Sequence, residues 1–250
     1  MDNLIKNKSS YSIEELQEID TEINHEEIFQ NLTDENCHDF LKIFSILNIE
    51  KINSKKEADI VLYHLTQHPN PIREIVGLKL KDIVLPNEEY FVDDYSLNQL
   101  TKGIIDINPN ISRAICEILD NSKTIKEKIE IKIIEEIEKL TKDVKAYEEA
   151  TKDTFNDKIR NKKNHAKNKK LFSLYWLLEA LSICLSKNYN SKVLEIINFT
   201  INFTDYTIRE KTAKIIANMD NAPMELLKKA KYDQNFYVKN QVYDKINFED

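Results

Sequence analysis

The chain has 250 residues, 41% of them hydrophobic, with 43 acidic and 36 basic side chains and a formal charge of −7. It contains 2 glycines, which argues against tightly turned sheets and against glycine-rich phosphate loops. The cysteines, Cys37, Cys116 and Cys184, are odd in number and form no C-x-x-C pair. We therefore expect free thiols in a reducing, cytoplasmic setting.

Two further classes are disfavoured by the distribution of apolar residues. The opening residues contain no apolar run, so we expect no signal peptide. The longest apolar stretch, 171–185, is interrupted by Glu179 and is shorter than the roughly 20 residues that span a bilayer. We therefore expect no membrane helix.

Acidic residues are concentrated at the N-terminus. Residues 1–40 contain eleven acids and two lysines, whereas the rest of the chain is close to neutral. We expect residues 1–54 to form an acidic helical cap. The same run also fits an acidic arm that meets a basic partner or the chain's own basic segment. The helices predicted here are 12–19, 25–32 and one capped by Thr33 or Asp34, with Phe40, Leu41, Phe44 and Leu47 on its apolar face.

From residue 55 onward, apolar stripes of helical period alternate with Asn, Asp and Pro turns, which predicts a series of helical hairpins. Residues 88–94 are expected to be a loop or a short extended piece. Residues 122–150 predict one long helix, because isoleucines advance by three or four positions with Glu and Lys between them. The other predicted helices are 58–68, 72–84, 96–107, 111–119, 171–187, 191–203, 205–219, 223–232 and 235–248.

A short phrase recurs at the start of four of these helices. Each copy has an Asn or Asp turn, an apolar residue, a basic residue and more apolar residues at helical spacing. Asn or Asp before a helix accepts hydrogen bonds from free backbone N–H groups of the first turn. One hairpin cannot bury such a stripe alone, so the copies should stack. The positions of the phrase that we expect to be structural are, copy by copy, Asn70 and Arg73; Asn110; Asp205 and Arg209; and Asp233, Asn235 and Lys239. In the copy that contains Asn110, the basic residue stands one position later, at Arg113.

The phrase resembles the HEAT-repeat family of α-solenoids, whose second helices commonly open with Asp-x-Asn or Asp-Pro followed by Val-Arg. The copy at 233–239 follows that pattern, and the resemblance covers about 57–121 and 171–247. It implies an all-α fold, an α-solenoid of stacked HEAT-like helical hairpins over 55–250. It also implies that the Asp and Arg of the phrase are structural and bridge adjacent repeats.

The stretch with the clearest functional character is basic. Residues 158–170 contain seven cationic side chains and no acid, within an insertion at 151–170 that interrupts the helical pattern. Three interpretations stay open: a flexible connection, a phosphate-binding segment, and a clasp with the acidic residues 14–35. His165 is the one residue there that could stack on a base. The candidate binding residues are Lys158, Arg160, Lys162, Lys163, Lys167, Lys169 and Lys170.

No other pattern predicts chemistry. His64 and His68 have the i,i+4 spacing of zinc ligands, but Leu65 stands where an H-E-x-x-H motif has Glu, so we expect structural histidines. Trp176 with Glu179 could imitate the base-contacting pair of HEAT-like DNA alkylation-repair proteins, although the apolar neighbours of Trp176 favour a core position. We predict no catalytic residue, no metal and no cofactor.

The function expected from the sequence is that of a non-enzymatic scaffold or adaptor, which binds a protein or peptide on one face of a HEAT-like solenoid. The alternative is a nucleic-acid-binding protein related to HEAT-like DNA alkylation-repair proteins, acting through 158–170. Both rest on the resemblance of the fold, and a fold does not by itself imply a function.

Overall fold

The computed structural model describes residues 23–67, 70–152, 157–185 and 189–245. Over those ranges the chain contains twelve α-helices, two short 3-10 helices and no strand, which confirms the predicted all-α class. None of the described helices is both long and apolar enough to cross a membrane. By packing, the chain divides into two compact units, Met1–Gly103 and Ile104–Asp250. The boundary predicted after residue 54 was based on the acidic composition of the N-terminus, whereas the two units are defined by the contacts between helices.

The first unit is organised around the fourth helix. In its described part the helices are α1 (His25–Thr33), α2 (Asp39–Leu47), α3 (Lys55–Gln67), α4 (Asn70–Val84) and α5 (Asp94–Ile104), which ends at the unit boundary. Helix α4 packs against α2 and α3, and α1 packs against the same two helices. Fully buried side chains, including Phe44, Leu62, Leu80 and Phe91, fill the space between them. The predicted helix 12–19 lies outside the described residues.

The turn between α1 and α2 corrects one prediction. Asp34 does not cap α2; it ends α1, with its backbone N–H donating to the Gln30 carbonyl. His38 caps α2 instead, because its Nδ1 accepts a hydrogen bond of 3.2 Å from the backbone N–H of Phe40. The prediction of the apolar face of α2 was also partly wrong. Lys42 and Ile46 are buried in the structure, whereas Leu47, which was predicted to lie on that face, is half-buried.

The segment after α4 corrects a second prediction. Residues 88–94 were expected to be loop or extended, but Leu85–Tyr90 is a 3-10 helix. Pro86 has no N–H to continue the α4 ladder. The buried side chain of Asn87 donates to the Ile83 carbonyl at 2.8 Å instead. The chain therefore tightens into a 3-10 turn at the end of α4.

The second unit is organised around two helices that each contact several others. Its described helices are α6 (Pro109–Asn121), α7 (Lys123–Lys152), α8 (Asp157–Cys184), α9 (Ser191–Thr200), α10 (Tyr206–Asn218), α11 (Met224–Lys231) and α12 (Phe236–Gln241), followed by the 3-10 turn Tyr243–Lys245. Helix α8 packs against α6, α7 and α10, and α10 packs against α8, α9, α11 and α12. Helix α9 does not pack mainly on α8, its predecessor in the sequence; its principal contacts are with α7 and α10.

The repeated phrase has the predicted burial. Ile111, Ile115, Ile118 and Leu119 are all fully buried on one stripe of α6. The equivalent positions of the other copies are buried to the same degree: Ile72, Val76 and Leu80; Ile208, Thr212, Ile215 and Ile216; Val238 and Val242. The small residues of the phrase, Gly77, Cys116 and Ala213, are buried as well. The helical period alone was therefore enough to identify these core positions.

Helix α8 begins at Asp157, well before the predicted start at 171. The basic segment 158–170 is thus the N-terminal half of a long helix. Lys and Arg are good helix formers, but a polar half-helix carries no apolar stripe, and the sequence pattern could not reveal it.

Candidate functional site

An ion pair links the starts of two helices, α10 and α12, that each begin with a copy of the recurring phrase. Arg209, in the first turns of α10, donates from Nε to Asp233 Oδ2 at 2.7 Å and from Nη2 to Asp233 Oδ1 at 3.1 Å. Its Nη1 donates to the carbonyls of Phe203 and Thr204 at 2.8 and 2.9 Å. The guanidinium therefore joins the turn before α10 to the turn before α12. We call this arrangement the Arg209–Asp233 clasp.

The clasp is mostly shielded from water. The side chains of Arg209 and Asp233 are 16% and 10% exposed. Burial raises the pKa of Asp233, but the hydrogen bonds from Arg209 and from the Asn235 backbone outweigh burial and leave that pKa below its ordinary value of 3.8. The pKa of Arg209 is raised, mainly by the hydrogen bond with Asp233. Both groups are therefore charged at neutral pH, and the paired geometry holds the turn.

The other structural positions of the phrase act as caps or lie near them. Asp205 accepts from the backbone N–H of Thr207 at 2.9 Å, and Asn235 accepts from that of Tyr237 at 2.9 Å. In the copy at 108–111 the cap is Asn108, whose Oδ1 accepts from the backbone N–H of Asn110 at 3.0 Å. Four positions of the phrase are not seen as caps. Asn110 accepts a hydrogen bond from Arg113, Arg73 is half-buried and Lys239 is exposed, while the side chain of Asn70 lies outside the described residues.

The basic segment is described only in part. The side chains of Lys158, Arg160, Lys162 and Lys163 lie outside the described residues. Lys170 donates to Asp143 of α7 at 2.8 Å, so this cation is paired. Lys169 is exposed.

An open groove borders this half of α8. Its volume is about 520 Å³, and its walls come from the turn before α6 and from the end of the basic segment. Ile105, Ile107 and Phe172 supply apolar surface, and His165 and Lys169 supply polar and basic edges. The described part of the segment thus borders an apolar groove.

Trp176 and Glu179 do not form a paired site. The Glu179 carboxylate binds Lys214 Nζ at 2.6 Å and Lys211 Nζ at 3.0 Å, both from α10. Burial raises the pKa of Glu179, but these two lysines more than offset it, so the pKa lies below the ordinary value of 4.5. Trp176 packs edge-on to Tyr175, with ring centroids 5.4 Å apart. Its buried indole N–H has no acceptor among the described residues.

His64 and His68 were singled out in the sequence by their zinc-ligand spacing. His64 is buried, and its Nε2 lies 2.8 Å from the Leu32 carbonyl; His68 lies outside the described residues. Burial raises the pKa of the Cys116 thiol to about 12 and raises that of Cys184 as well. Within the described ranges, no three His, Cys, Asp or Glu side chains are placed to hold a metal ion.

An exposed aromatic cluster lies at the start of α10 and α12, and it was not predicted from the sequence. Tyr206 and Tyr237 stack with ring centroids 6.3 Å apart, and Phe236 meets Tyr237 edge-on at 5.8 Å. These side chains are 42%, 59% and 70% exposed for Tyr206, Tyr237 and Phe236. Six of the eleven exposed large apolar side chains of the described residues lie between Tyr206 and Tyr243.

The clasp and the caps explain the position of this cluster. Because Arg209 ties the turn before α12 to α10, the first residues of the two helices lie side by side. Tyr206 and Phe236 directly follow the cap residues Asp205 and Asn235, and so precede the first buried residue of each stripe. A signal was available in the sequence, because the copies at 70 and 108 have Pro, not an aromatic, after the Asn.

The chain matches no protein-family model, and no curated protein is significantly similar to it.

Proposed function

We propose that this protein is a scaffold that binds another protein, built as a solenoid of HEAT-like helical hairpins. The helix contacts support the solenoid part of the proposal. Helices α6, α8, α10 and α12 follow one another in a row, each packed against the next, while α7 and α9 pack against each other beside that row. In a stack of helical hairpins, the first helices of the hairpins form one row and the second helices form a neighbouring row, so helices that alternate along the chain pack against each other. The Arg209–Asp233 clasp joins successive repeats, as the resemblance implies.

The observation that carries the binding function is the exposed aromatic cluster of Tyr206, Phe236 and Tyr237. Aromatic residues are enriched at protein interfaces because they bury large areas at low entropic cost. Contiguous exposed apolar surface on a folded protein usually marks an interaction site. The clasp holds together the two turns that carry these rings, and a fixed backbone reduces the entropy lost on binding.

The alternative of nucleic-acid binding through residues 158–170 gains no specific support. Of the cations whose side chains are described, Lys170 is paired with Asp143. A stacking platform for bases combines aromatic rings with a positively charged groove. The groove at this end of α8 has Phe172 and His165, but Lys169 is the one cation in its described lining, and two isoleucines line it as well. We therefore place the partner surface on the aromatic cluster.

The experiment compares capture by wild-type protein and by a Phe236→Ser/Tyr237→Ser double variant. The tagged chain is incubated with native lysate, with and without nuclease, and bound proteins are quantified by mass spectrometry. Losing one interface anchor costs about 2 kcal/mol or more, so the double variant should lose at least roughly 30-fold of specific capture. The matched control is Ile131→Ser, since Ile131 is 65% exposed on α7 of the same unit.

Circular dichroism checks that all three proteins are equally folded. Equal capture by the double variant and the wild type would refute the assignment of the surface. Loss of every partner on nuclease treatment, with recovery of RNA or DNA, would refute the protein-binding function in favour of the nucleic-acid alternative.

A further inference from the structure

The first unit contains a buried lysine without a partner among the described residues. Lys42 lies on α2 and is only 4% exposed. Lysine is among the residues least often buried unless it is paired. Its backbone N–H bonds to His38, but its ammonium group makes no hydrogen bond or ion pair with any described residue. The ammonium nitrogen is not among the fully buried, unpaired side-chain atoms of the described residues, so it keeps some accessible surface although most of the side chain is buried.

Lys42 lines a cavity between α1, α2 and α3. The volume is about 460 Å³, within the range of small-ligand sites in proteins. Leu32 at the end of α1, with Ile60 and Tyr63 on α3, forms apolar walls, and Thr33 adds a hydroxyl group. The cavity thus combines a mostly buried lysine side chain with apolar surface.

Lys42 forms no ion pair with either of the two acids that line the cavity, Glu35 and Asp59. Asp59 lines the cavity, but its Oδ1 is held by Lys55 of the preceding turn. Glu35 is exposed on the turn between α1 and α2, and Lys56 is exposed on α3. Of the two lysines that line the cavity, Lys42 is therefore the one whose side chain is buried.

We infer that this cavity binds a carboxylate attached to an apolar body, with the Lys42 ammonium as its counter-ion. A carboxylate of this kind would accept hydrogen bonds from the ammonium, while its apolar part would cover Leu32, Ile60 and Tyr63. Such a group can be a free organic acid or the C-terminal carboxylate of a peptide. The site lies in the first unit and does not depend on the aromatic cluster.

Calorimetric titration of the full chain tests the inference with paired probes. The first pair is 4-phenylbutyrate and the neutral 4-phenyl-1-butanol. The second pair is the peptide acetyl-Ala-Leu-Phe with a free carboxylate and the same peptide with an amidated C-terminus. Hydrogen bonds to charged groups are worth about 1.5–3 kcal/mol. At least one carboxylate should therefore bind roughly tenfold or more tightly than its neutral counterpart.

Lys42→Met should weaken binding of that carboxylate at least about tenfold. The control is Lys51→Met, which changes an exposed lysine of the same unit and should leave binding unchanged. Binding of the small acid assigns the site to organic acids; binding of the peptide acid alone assigns it to a C-terminus. Absence of binding by both carboxylates, equal binding by the neutral probes, or equal binding by Lys42→Met would overturn the inference.

Thermal unfolding supplies an independent measurement. Because the ammonium has no partner among the described residues, Lys42→Met should melt at or above the temperature of the wild type. A melting temperature clearly below that of Lys51→Met would show that the charge serves the fold, and would also overturn the inference.

Discussion

Removing the Asp233 carboxylate should destabilise the second unit far more than removing an exposed acid. Asp233→Ala deletes both bonds from Arg209 and the bond that Asp233 Oδ1 accepts from the Asn235 backbone at 2.8 Å. Breaking a buried ion pair by removing one partner costs about 3–5 kcal/mol. Since Arg209 keeps two carbonyl acceptors, we expect a loss of about 3 kcal/mol, at the lower end of that range.

The assay is thermal and urea unfolding followed by circular dichroism. A loss of about 3 kcal/mol corresponds to a fall of roughly 6–12 °C in Tm for a chain of this size. The matched control is Asp143→Ala, which breaks the exposed pair with Lys170 and should cost less than about 1 kcal/mol. A double-mutant cycle with Arg209→Met should give a coupling energy above about 1 kcal/mol. Equal effects of Asp233→Ala and Asp143→Ala, or a coupling near zero, would refute the clasp.

The pH dependence gives a second test of the same contact. The pKa of Asp233 is lower in the folded chain than its ordinary value of 3.8. Its stabilising contribution is therefore complete above that value and is lost as the pH falls through the lower folded pKa. The difference in stability between wild type and Asp233→Ala should be constant near neutral pH and should shrink below about pH 4. A difference that grows on acidification would contradict this sign.

Three further outcomes follow from the structure. Glu179→Gln should lower the unfolding free energy by about 2 kcal/mol at pH 7, because two lysines lose their counter-ion, and its urea stability should fall less in acid than that of the wild type. Trp176→Phe should change the unfolding free energy by less than about 1 kcal/mol, because the ring stays aromatic and the indole N–H has no acceptor among the described residues; a loss of several kcal/mol in the same assay would contradict the conclusion that the N–H contributes no bond. Iodoacetamide at pH 8 should label Cys37 in the folded chain, while the two buried cysteines react only in guanidinium; mass spectrometry that finds Cys116 labelled first would refute this order.

Local features of this chain could be predicted from the sequence because their causes lie within a few residues. The helical period identified the buried stripe of Ile111, Ile115 and Ile118 without knowledge of its neighbours. Asp205 and Asn235 could be predicted as caps because a cap bonds to the backbone two residues later. The helical class and most helix ranges follow from these same short-range rules.

Longer-range features depended on which helices pack together. Nothing around Lys42 in the sequence shows that its side chain is buried, because that depends on α1 and α3 closing over α2. Tyr206 and Tyr237 lie on different helices, α10 and α12, and the clasp brings them into stacking distance. A helical period sets the direction of a side chain on its own helix; only the packing of the other helices decides whether that side chain meets solvent, a cavity or another helix.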